Sequence, residues 1–197
     1  MVKNLFDLSI ITLNMIVLSG PSASGKTEVA KALQAKYGIC KVITTTTRPM
    51  RINEKNKVDY FFVDEKQFKQ MIEDDLFVEY TFYNGNYYGS TKDQISNNKC
   101  IVIEAKGLQA YLALKDERIV SFLLASYEKT RYDRMISRGD KPEDADKRIE
   151  NDRTYFNNDV MHSGDYLIDS ETKTVEQVAD CIYRLYLEAL EERHLNK

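Results

Sequence analysis

The chain has 197 residues, 43% of them apolar and 30% charged, which is the composition of a globular protein with one substantial core. Its formal net charge of -3 argues against a general nucleic-acid-binding protein, because such proteins are usually basic. Three widely spaced cysteines and two histidines leave little material for a disulfide framework, a zinc site or a histidine-based triad. We therefore expect a cytoplasmic protein with reduced thiols and with neither nucleic acid nor a membrane as its partner.

Residues 1–14 form a moderately apolar leader that Asp7, Ser9 and Thr12 interrupt. Its uninterrupted apolar stretch is too short to span a bilayer, and no small-residue cleavage site follows it. We expect this leader to be an extension, either an added strand or a poorly ordered segment, in front of a domain that spans residues 15–197.

The stretch SGPSASGKT at residues 19–27 follows the apolar run MIVL, which predicts a buried strand. Its spacing is the G-x-x-x-x-G-K-[ST] pattern, in which the glycines let the backbone curl around an anion. A helix is predicted after it, because Val29, Leu33 and Tyr37 repeat at helical spacing and Gly38 suits a helix C-terminus. We predict that the loop binds the phosphates of ATP. The predicted ATP-binding residues are Gly20, Pro21, Ser22, Ala23, Ser24, Gly25, Lys26 and Thr27.

Within this loop, Lys26 and Thr27 are expected to have separate roles. The Lys26 ammonium is expected to bridge the terminal phosphates, and the Thr27 hydroxyl is expected to ligate Mg²⁺. The alternative is an ordinary turn before a helix, in which the lysine would stand by chance.

Strand and helix patterns alternate along the rest of the chain. The predicted strands are KVITT (41–45), YFFV (60–63), FVEYTF (77–82), CIVIEA (100–105), IVSFLLAS (119–126) and DYLIDS (165–170), with NGNYYGS (84–90) as a turn. Helices are predicted at 64–75, where Asp64 and Gln67 match a capping box, and at 174–194. This alternation predicts an α/β sandwich around a parallel sheet, with a more β-like insertion from roughly 48 to 90.

Two arginine-bearing segments are candidates for phosphate contacts. Arg48 and Arg51 lie three residues apart beside a proline, and this spacing suits either a phosphate site or an ordinary charged surface. Further along the chain, Arg134 and Arg138 lie one helical turn apart, and Arg148 follows an acidic interval. These three arginines suit a site where charge develops during phosphoryl transfer, and the alternative is a solvated charged helix.

Taken together, SGPSASGKT, TTTTRPMR, VDYFFV, FVEY and NYYGS resemble the guanylate kinase family, in that family's order and spacing, from about Met15 to the C-terminus. The resemblance implies an α/β fold, a P-loop NTPase-type parallel sheet flanked by helices, with a small β-rich GMP-binding insertion at about 45–92 and a helical lid at about 128–160. It also implies ATP-dependent phosphorylation of GMP to GDP by direct in-line transfer, with Mg²⁺ accompanying ATP.

The same resemblance assigns site residues position by position. The residues implied to bind GMP are Thr44, Arg48, Arg51, Tyr60, Glu79, Tyr88, Ser90 and Glu104. Among them, the Glu79 carboxylate is implied to accept hydrogen bonds from guanine N1–H and the exocyclic amine, and Thr44 and Ser90 are implied to lie near the base. The residues implied to act in catalysis are Lys26, Arg134, Arg138 and Arg148, with Arg131 and Arg153 nearby.

The stretch CIVIEAKG departs from the family pattern. Many members have acidic residues at the positions of Val102 and Glu104 and a glutamine at the position of Lys106. The stretch LIDSET also lacks the usual asparagine, and Asp169 and Ser170 are the nearest substitutes. These departures leave two alternatives open: a related P-loop kinase with another small phosphorylated acceptor, and a non-catalytic binding module. The sequence is compatible with a monomer and with a homodimer.

Overall fold

The computed structural model describes residues 15–83 and 85–195, so the predicted leader at 1–14 lies outside the described residues. The strands in the described part are β1 (Met15–Ser19), β2 (Cys40–Lys41), β3 (Thr45–Thr46), β4 (Phe61–Phe62), β5 (Phe77–Tyr83), β6 (Asn86–Thr91), β7 (Lys99–Val102), β8 (Ile119–Ala125) and β9 (Tyr166–Asp169). The helices there are α1 (Lys26–Tyr37), α2 (Glu65–Glu73), α3 (Ala105–Ala113), α4 (Glu128–Ser137), α5 (Pro142–Tyr155), α6 (Asn158–Met161) and α7 (Val175–Leu195).

The larger sheet is parallel throughout and has the strand order β2-β7-β1-β8-β9. Strand β1 is buried at every residue, because it pairs with β7 and β8 and is covered on both faces. On one face α1 and α7 bury Leu33 and Ile182, and on the other α3 buries Leu108 and Tyr111. The loop after β1 opens at the carboxyl edge of this sheet, where ligands bind in open α/β folds.

The second sheet forms the β-rich insertion and has the strand order β4-β3-β6-β5. Helix α2 covers it with Phe68, which is fully buried and stacks on Phe77 and Tyr87 at centroid distances of 4.4 and 5.2 Å. The helix begins with the predicted capping box, in which Asp64 accepts from the Gln67 N–H and the Gln67 side chain accepts from the Asp64 N–H. A local cap and one buried ring therefore fix α2 on the sheet.

Helices α4, α5 and α6 lie in the region predicted as a lid. Met135 from α4 and Ala145 and Ile149 from α5 form a small apolar cluster, and Ala23 packs against it. Since Ala23 belongs to the loop after β1, this helical segment rests on that loop.

Two local predictions were wrong. KVITT does not form one strand, because β2 pairs with β7 in the larger sheet whereas β3 pairs with β4 and β6 in the second. Residues 42–44 carry the chain from one sheet to the other. The stretch predicted as a turn at 84–90 is mostly strand β6, because Asn86 onward pairs antiparallel with β5 in a hairpin.

The strand predicted at CIVIEA (100–105) is shorter than expected, because β7 ends at Val102 and α3 begins at Ala105. The other predicted strands and helices are present. Helix α1 ends at Tyr37 and is followed by Gly38 with φ +69°, as the sequence predicted. Cys40, Cys100 and Cys181 are free thiols. Within residues 15–83 and 85–195, no helix combines the length and the apolar composition that crossing a membrane requires.

The packing of Phe68 gives a stability prediction. Phe68→Ala should lower the free energy of unfolding by about 3–5 kcal/mol, because it removes a fully buried ring and leaves a cavity between α2 and the sheet. Phe82→Ala, at a position 61% exposed on the same sheet, is the matched control and should cost less than about 1 kcal/mol. Urea titrations followed by circular dichroism measure both values, and equal losses would contradict this account of the second core.

Candidate active site

Residues 20–27 form a loop that runs from the end of β1 into the first turn of α1, which begins at Lys26, and its shape requires glycine at two positions. Gly20 has φ +135°, and a Cβ there would lie 2.5 Å from the carbonyl oxygen of Leu124 in β8. Gly25 has φ +99° and is the N-cap of α1. The first amide groups of α1 are therefore directed toward the loop interior, together with the positive end of the helix dipole, which favours a bound anion.

Lys26 lies inside this loop. Its side chain is 8% exposed, and its Nζ donates to the carbonyl oxygens of Gly20 and, at 3.0 Å, Pro21. The Glu104 carboxylate is 4.0 Å from Nζ. Burial lowers the pKa of Lys26, whereas the charges of Glu104 and Asp152 act in the opposite direction. A buried cation at this place is a counter-charge for phosphate.

The oxygen atoms around the loop fit a magnesium ion that is shared with a phosphate. The Ser24 hydroxyl is buried and has no hydrogen-bond partner within the described residues, Thr27 is exposed in the first turn of α1, and the Glu104 carboxylate is exposed. Hydroxyl and carboxylate oxygens are ligands that Mg²⁺ accepts. Within residues 15–83 and 85–195, no group of three or more His, Cys, Asp or Glu side chains could hold a metal ion.

A cavity of about 670 Å³ lies beside the loop, between the second sheet and the start of α3. The pairing of β7 with β1 in the larger sheet sets the position of this cavity. Two hydrogen bonds join Ile103, which follows β7, to the end of β1: the Ile103 N–H donates to the Leu18 carbonyl, and the Ser19 hydroxyl donates to the Ile103 carbonyl. The residues lining the cavity are Asp75, Phe77, Val78, Glu79, Tyr80, Thr81, Val102, Ile103, Glu104, Lys106, Gly107 and Ala110. Glu104 thus belongs both to this cavity and to the surroundings of Lys26.

Glu79 and Ser90 face each other across β5 and β6. They are register partners, and the Ser90 hydroxyl donates to Glu79 Oε1 at 2.9 Å. Burial raises the pKa of Glu79, while the hydrogen bonds from Ser90 and the charge of Lys106 lower it. The predicted base-reading carboxylate therefore lies half-buried on the cavity wall. Thr44 precedes β3, and its carbonyl accepts from the Phe61 N–H.

The structure brings together the residues predicted to hold the acceptor phosphate. The Arg48 guanidinium lies 5.5 Å from the Tyr60 ring centre, and the rings of Tyr60 and Tyr88 are 6.3 Å apart. Glu54, which the sequence interpretation missed, accepts from Arg48 NH2 at 2.6 Å and from the Arg51 N–H at 2.8 Å. One carboxylate thereby holds the Arg48 side chain and the Arg51 backbone, and the Arg51 side chain is exposed.

The structure separates the arginines predicted to act in catalysis. Arg134 NH1 donates to the carbonyl of Ala23 and its NH2 to that of Ser170, both at 3.2 Å, so it lies against the phosphate loop. Arg138 caps the end of α4 and, like Arg148 on α5, pairs with Asp140. No hydrogen bond in the described part of the chain joins either of these two arginines to the loop.

A buried ion pair that the sequence did not predict ties the lid region to the loop. Arg131 and Asp152 pair at 2.5 Å, with side chains 4% and 7% exposed. The Asp152 carboxylate also accepts from the Ser22 N–H at 2.9 Å and from the Ser22 hydroxyl at 3.2 Å. Since these residues are up to 130 positions apart in sequence, no local pattern could have paired them.

This ion pair gives a second stability prediction. Asp152→Ala should destabilise the fold by about 3–5 kcal/mol, because it leaves Arg131 buried without its counter-charge. Glu128→Gln is the control: it breaks the exposed Arg153–Glu128 pair between the same two helices and should cost less than about 1 kcal/mol. Urea unfolding measures both, and recovery of stability in Arg131→Leu/Asp152→Ala would confirm that the buried charge is the cause.

Comparison with known proteins identifies the family of this chain. The family model described as guanylate kinase matches residues 12–185. A guanylate kinase of Shouchella clausii is 35% identical over 167 residues, which are 80% of this chain and 80% of that protein. The solved guanylate kinase from Anaplasma phagocytophilum is similar with a TM-score of 0.59 and 23% identity over 87% of this chain and 83% of that chain.

A shikimate kinase structure from Acinetobacter baumannii has a TM-score of 0.52 and 14% identity over 90% of this chain and 94% of that chain. At this identity the similarity concerns the fold alone, and it confirms the predicted sheet flanked by helices. The match of the family model over most of the chain, together with the relative from S. clausii, confirms the resemblance seen in the sequence. The chain belongs to the guanylate kinase family.

Proposed function

We propose that this protein transfers the terminal phosphoryl group of ATP to GMP and forms ADP and GDP. One observation carries the proposal: Lys26 Nζ in the phosphate loop lies 4.0 Å from Glu104, and Glu104 lines the same cavity as Glu79. A donor on the loop and an acceptor in the cavity would therefore meet at one place, which is the main requirement for phosphoryl transfer.

On the acceptor side, the cavity wall suits guanine. Guanine presents two adjacent donors, N1–H and the exocyclic amine, that a single carboxylate such as Glu79 can accept, whereas adenine has no such pair on its Watson–Crick edge. Thr44 and Ser90 would contact the base beside it. The groups that would bind the GMP phosphate are Arg48, Arg51, Tyr60 and Tyr88, and Glu104 would lie between the acceptor and the loop.

The transfer itself is a direct in-line displacement. An oxygen of the GMP phosphate forms a bond to the γ-phosphorus while the bond to the β–γ bridging oxygen breaks, and ADP leaves with that oxygen. The attacking oxygen is already ionised at neutral pH, so no general base is required. Lys26 and Arg134 would stabilise the phosphoryl group from the loop side, and Arg138 and Arg148 would join them when the lid closes.

The loop residues 20–27 would hold ATP together with Mg²⁺, for which Thr27 would be the protein ligand. The ion would supply positive charge to the phosphate oxygens when bound. Closure of the lid and of the acceptor-binding insertion would exclude water, which otherwise would compete with GMP. The free thiols suit a reducing cytoplasm, where we expect the enzyme to act as a monomer or homodimer.

Lys26→Met tests the proposed donor site. It should lower kcat for GDP formation by about 10²–10³-fold, because the substitution removes a buried positive charge from the place where charge develops. Lys31→Met, which removes an exposed ammonium on the same helix, is the control and should leave kcat unchanged. GDP is quantified by ion-exchange chromatography, and a kcat within threefold of the unmodified enzyme would contradict the role of Lys26.

Arg51→Ala tests the separation of the two substrates. It should raise the KM for GMP about tenfold or more and leave the KM for ATP unchanged, because a guanidinium bond to phosphate is lost on the acceptor side alone. Lys55→Ala, in the same loop, is the control. Initial rates measured against each substrate in turn give both constants, and equal increases in both would contradict the two-site assignment.

A further inference from the structure

The acceptor cavity has an uneven charge distribution. Three carboxylates line it, from Asp75, Glu79 and Glu104, and Lys106 is the single basic residue among the lining residues. Asp75 is paired with Lys92 at 2.7 Å, and Glu104 lies 4.0 Å from Lys26. Lys106 is therefore the cation that the cavity wall itself contributes, and none of the roles assigned above uses it.

The backbone sets the position of Lys106 closely. Glu104 is the N-cap of α3, so Lys106 is the second residue of that helix. A Cβ on the next residue, Gly107, would lie 3.1 Å from the Ile103 Cβ, so the first turn of α3 approaches the end of β7 tightly. This approach places Lys106 on the wall of the cavity that Glu79 also lines, and its charge is felt at Glu79.

The negative charge of Glu79 and the positive charge of Lys106 suit different parts of the Watson–Crick edge of guanine. Guanine has donors at N1 and at its exocyclic amine, which a carboxylate accepts, and beside them the O6 acceptor, to which an ammonium can donate. Adenine has an amine in place of O6, and an amine donor cannot pair with an ammonium. Val102, on the same wall, offers no polar group.

We propose that Lys106 is a specificity-determining residue for the acceptor, whose ammonium donates to O6 of the purine and provides the counter-charge for Glu79. This inference rests on the proposed function and names a second group, beside Glu79, that distinguishes guanine from adenine. It also assigns a role to the lysine in CIVIEAKG, the stretch that departs from the family pattern.

Removal of Lys106 should change the pH dependence of GMP binding. The titratable groups around Glu79 are Lys106 and Tyr111 from α3, Glu104 at the start of that helix, Tyr80 on β5 and Asp75 before β5. Among these, Lys106 supplies the positive charge. Its removal should raise the pKa of Glu79 further, so that the carboxylate becomes protonated, and GMP binding weakens, at a higher pH than in the unmodified enzyme.

The test uses Lys106→Met, Lys106→Gln and, as a matched control, Lys66→Met, which removes an exposed lysine of α2 outside the cavity lining. KM and kcat are measured for GMP and IMP, KM is measured for ATP, and the Kd of AMP is measured by equilibrium binding, all between pH 6 and pH 8. Lys106→Met should raise KM about tenfold for GMP and for IMP, since both carry O6, with a larger increase at pH 6. The Kd of AMP and the KM for ATP should stay unchanged, and Lys106→Gln should recover part of the loss because its amide still donates.

Two results would overturn the inference while the proposed function stands: an unchanged KM for GMP across the pH range, or a Kd for AMP that rises by the same factor as the KM for GMP. Failure of the proposed function looks different, because then the unmodified enzyme forms no GDP from ATP and GMP.

Discussion

The shape of the phosphate loop is the constraint on which the rest of the site depends. Gly20 lies so close to β8 that a side chain there would collide with the Leu124 carbonyl, so the loop follows one path across the end of the sheet. That path puts Lys26 against the loop carbonyls and Ser22 against Asp152 of α5. The lid region thus takes its position from the loop, and the acceptor cavity takes its position from β7, the neighbour of β1.

Features encoded by short-range patterns could be predicted from the sequence. The loop motif, the capping box of α2 and the long closing helix each depend on residues a few positions apart. The buried strand β8 was recognisable because a strand covered on both faces is apolar at nearly every position, and Ser121 is the one polar residue in it. The family resemblance then indicated which separated motifs share one site, and no local pattern contains this information. Arg48, Tyr60 and Tyr88, which come from separate motifs, do lie together in the structure.

Features that depend on long-range pairing could not be predicted. The sequence KVITT has the pattern of one strand, yet its two ends pair with strands of different sheets. The sequence of β6 has the pattern of a turn, because glycine and asparagine dominate its start, yet it pairs with β5. Asp152 stands in a highly charged helix where any acidic residue suggests solvent exposure, and its burial beside Arg131 follows from tertiary packing alone. The helical spacing of Arg134 and Arg138 suggested a shared face, but α4 ends between them.

The central claim is that a loop for the phosphoryl donor and a cavity for guanine together make a GMP kinase. ADP formation from Mg²⁺·ATP tests this claim most directly. The acceptors GMP, AMP, CMP, UMP and dTMP are supplied separately, beside a reaction without acceptor. The account predicts ADP formation with GMP and none above the acceptor-free rate with the other four. Turnover with another acceptor would contradict the guanine assignment and leave the donor loop intact. Measurable GMP binding without ADP formation would contradict catalysis itself.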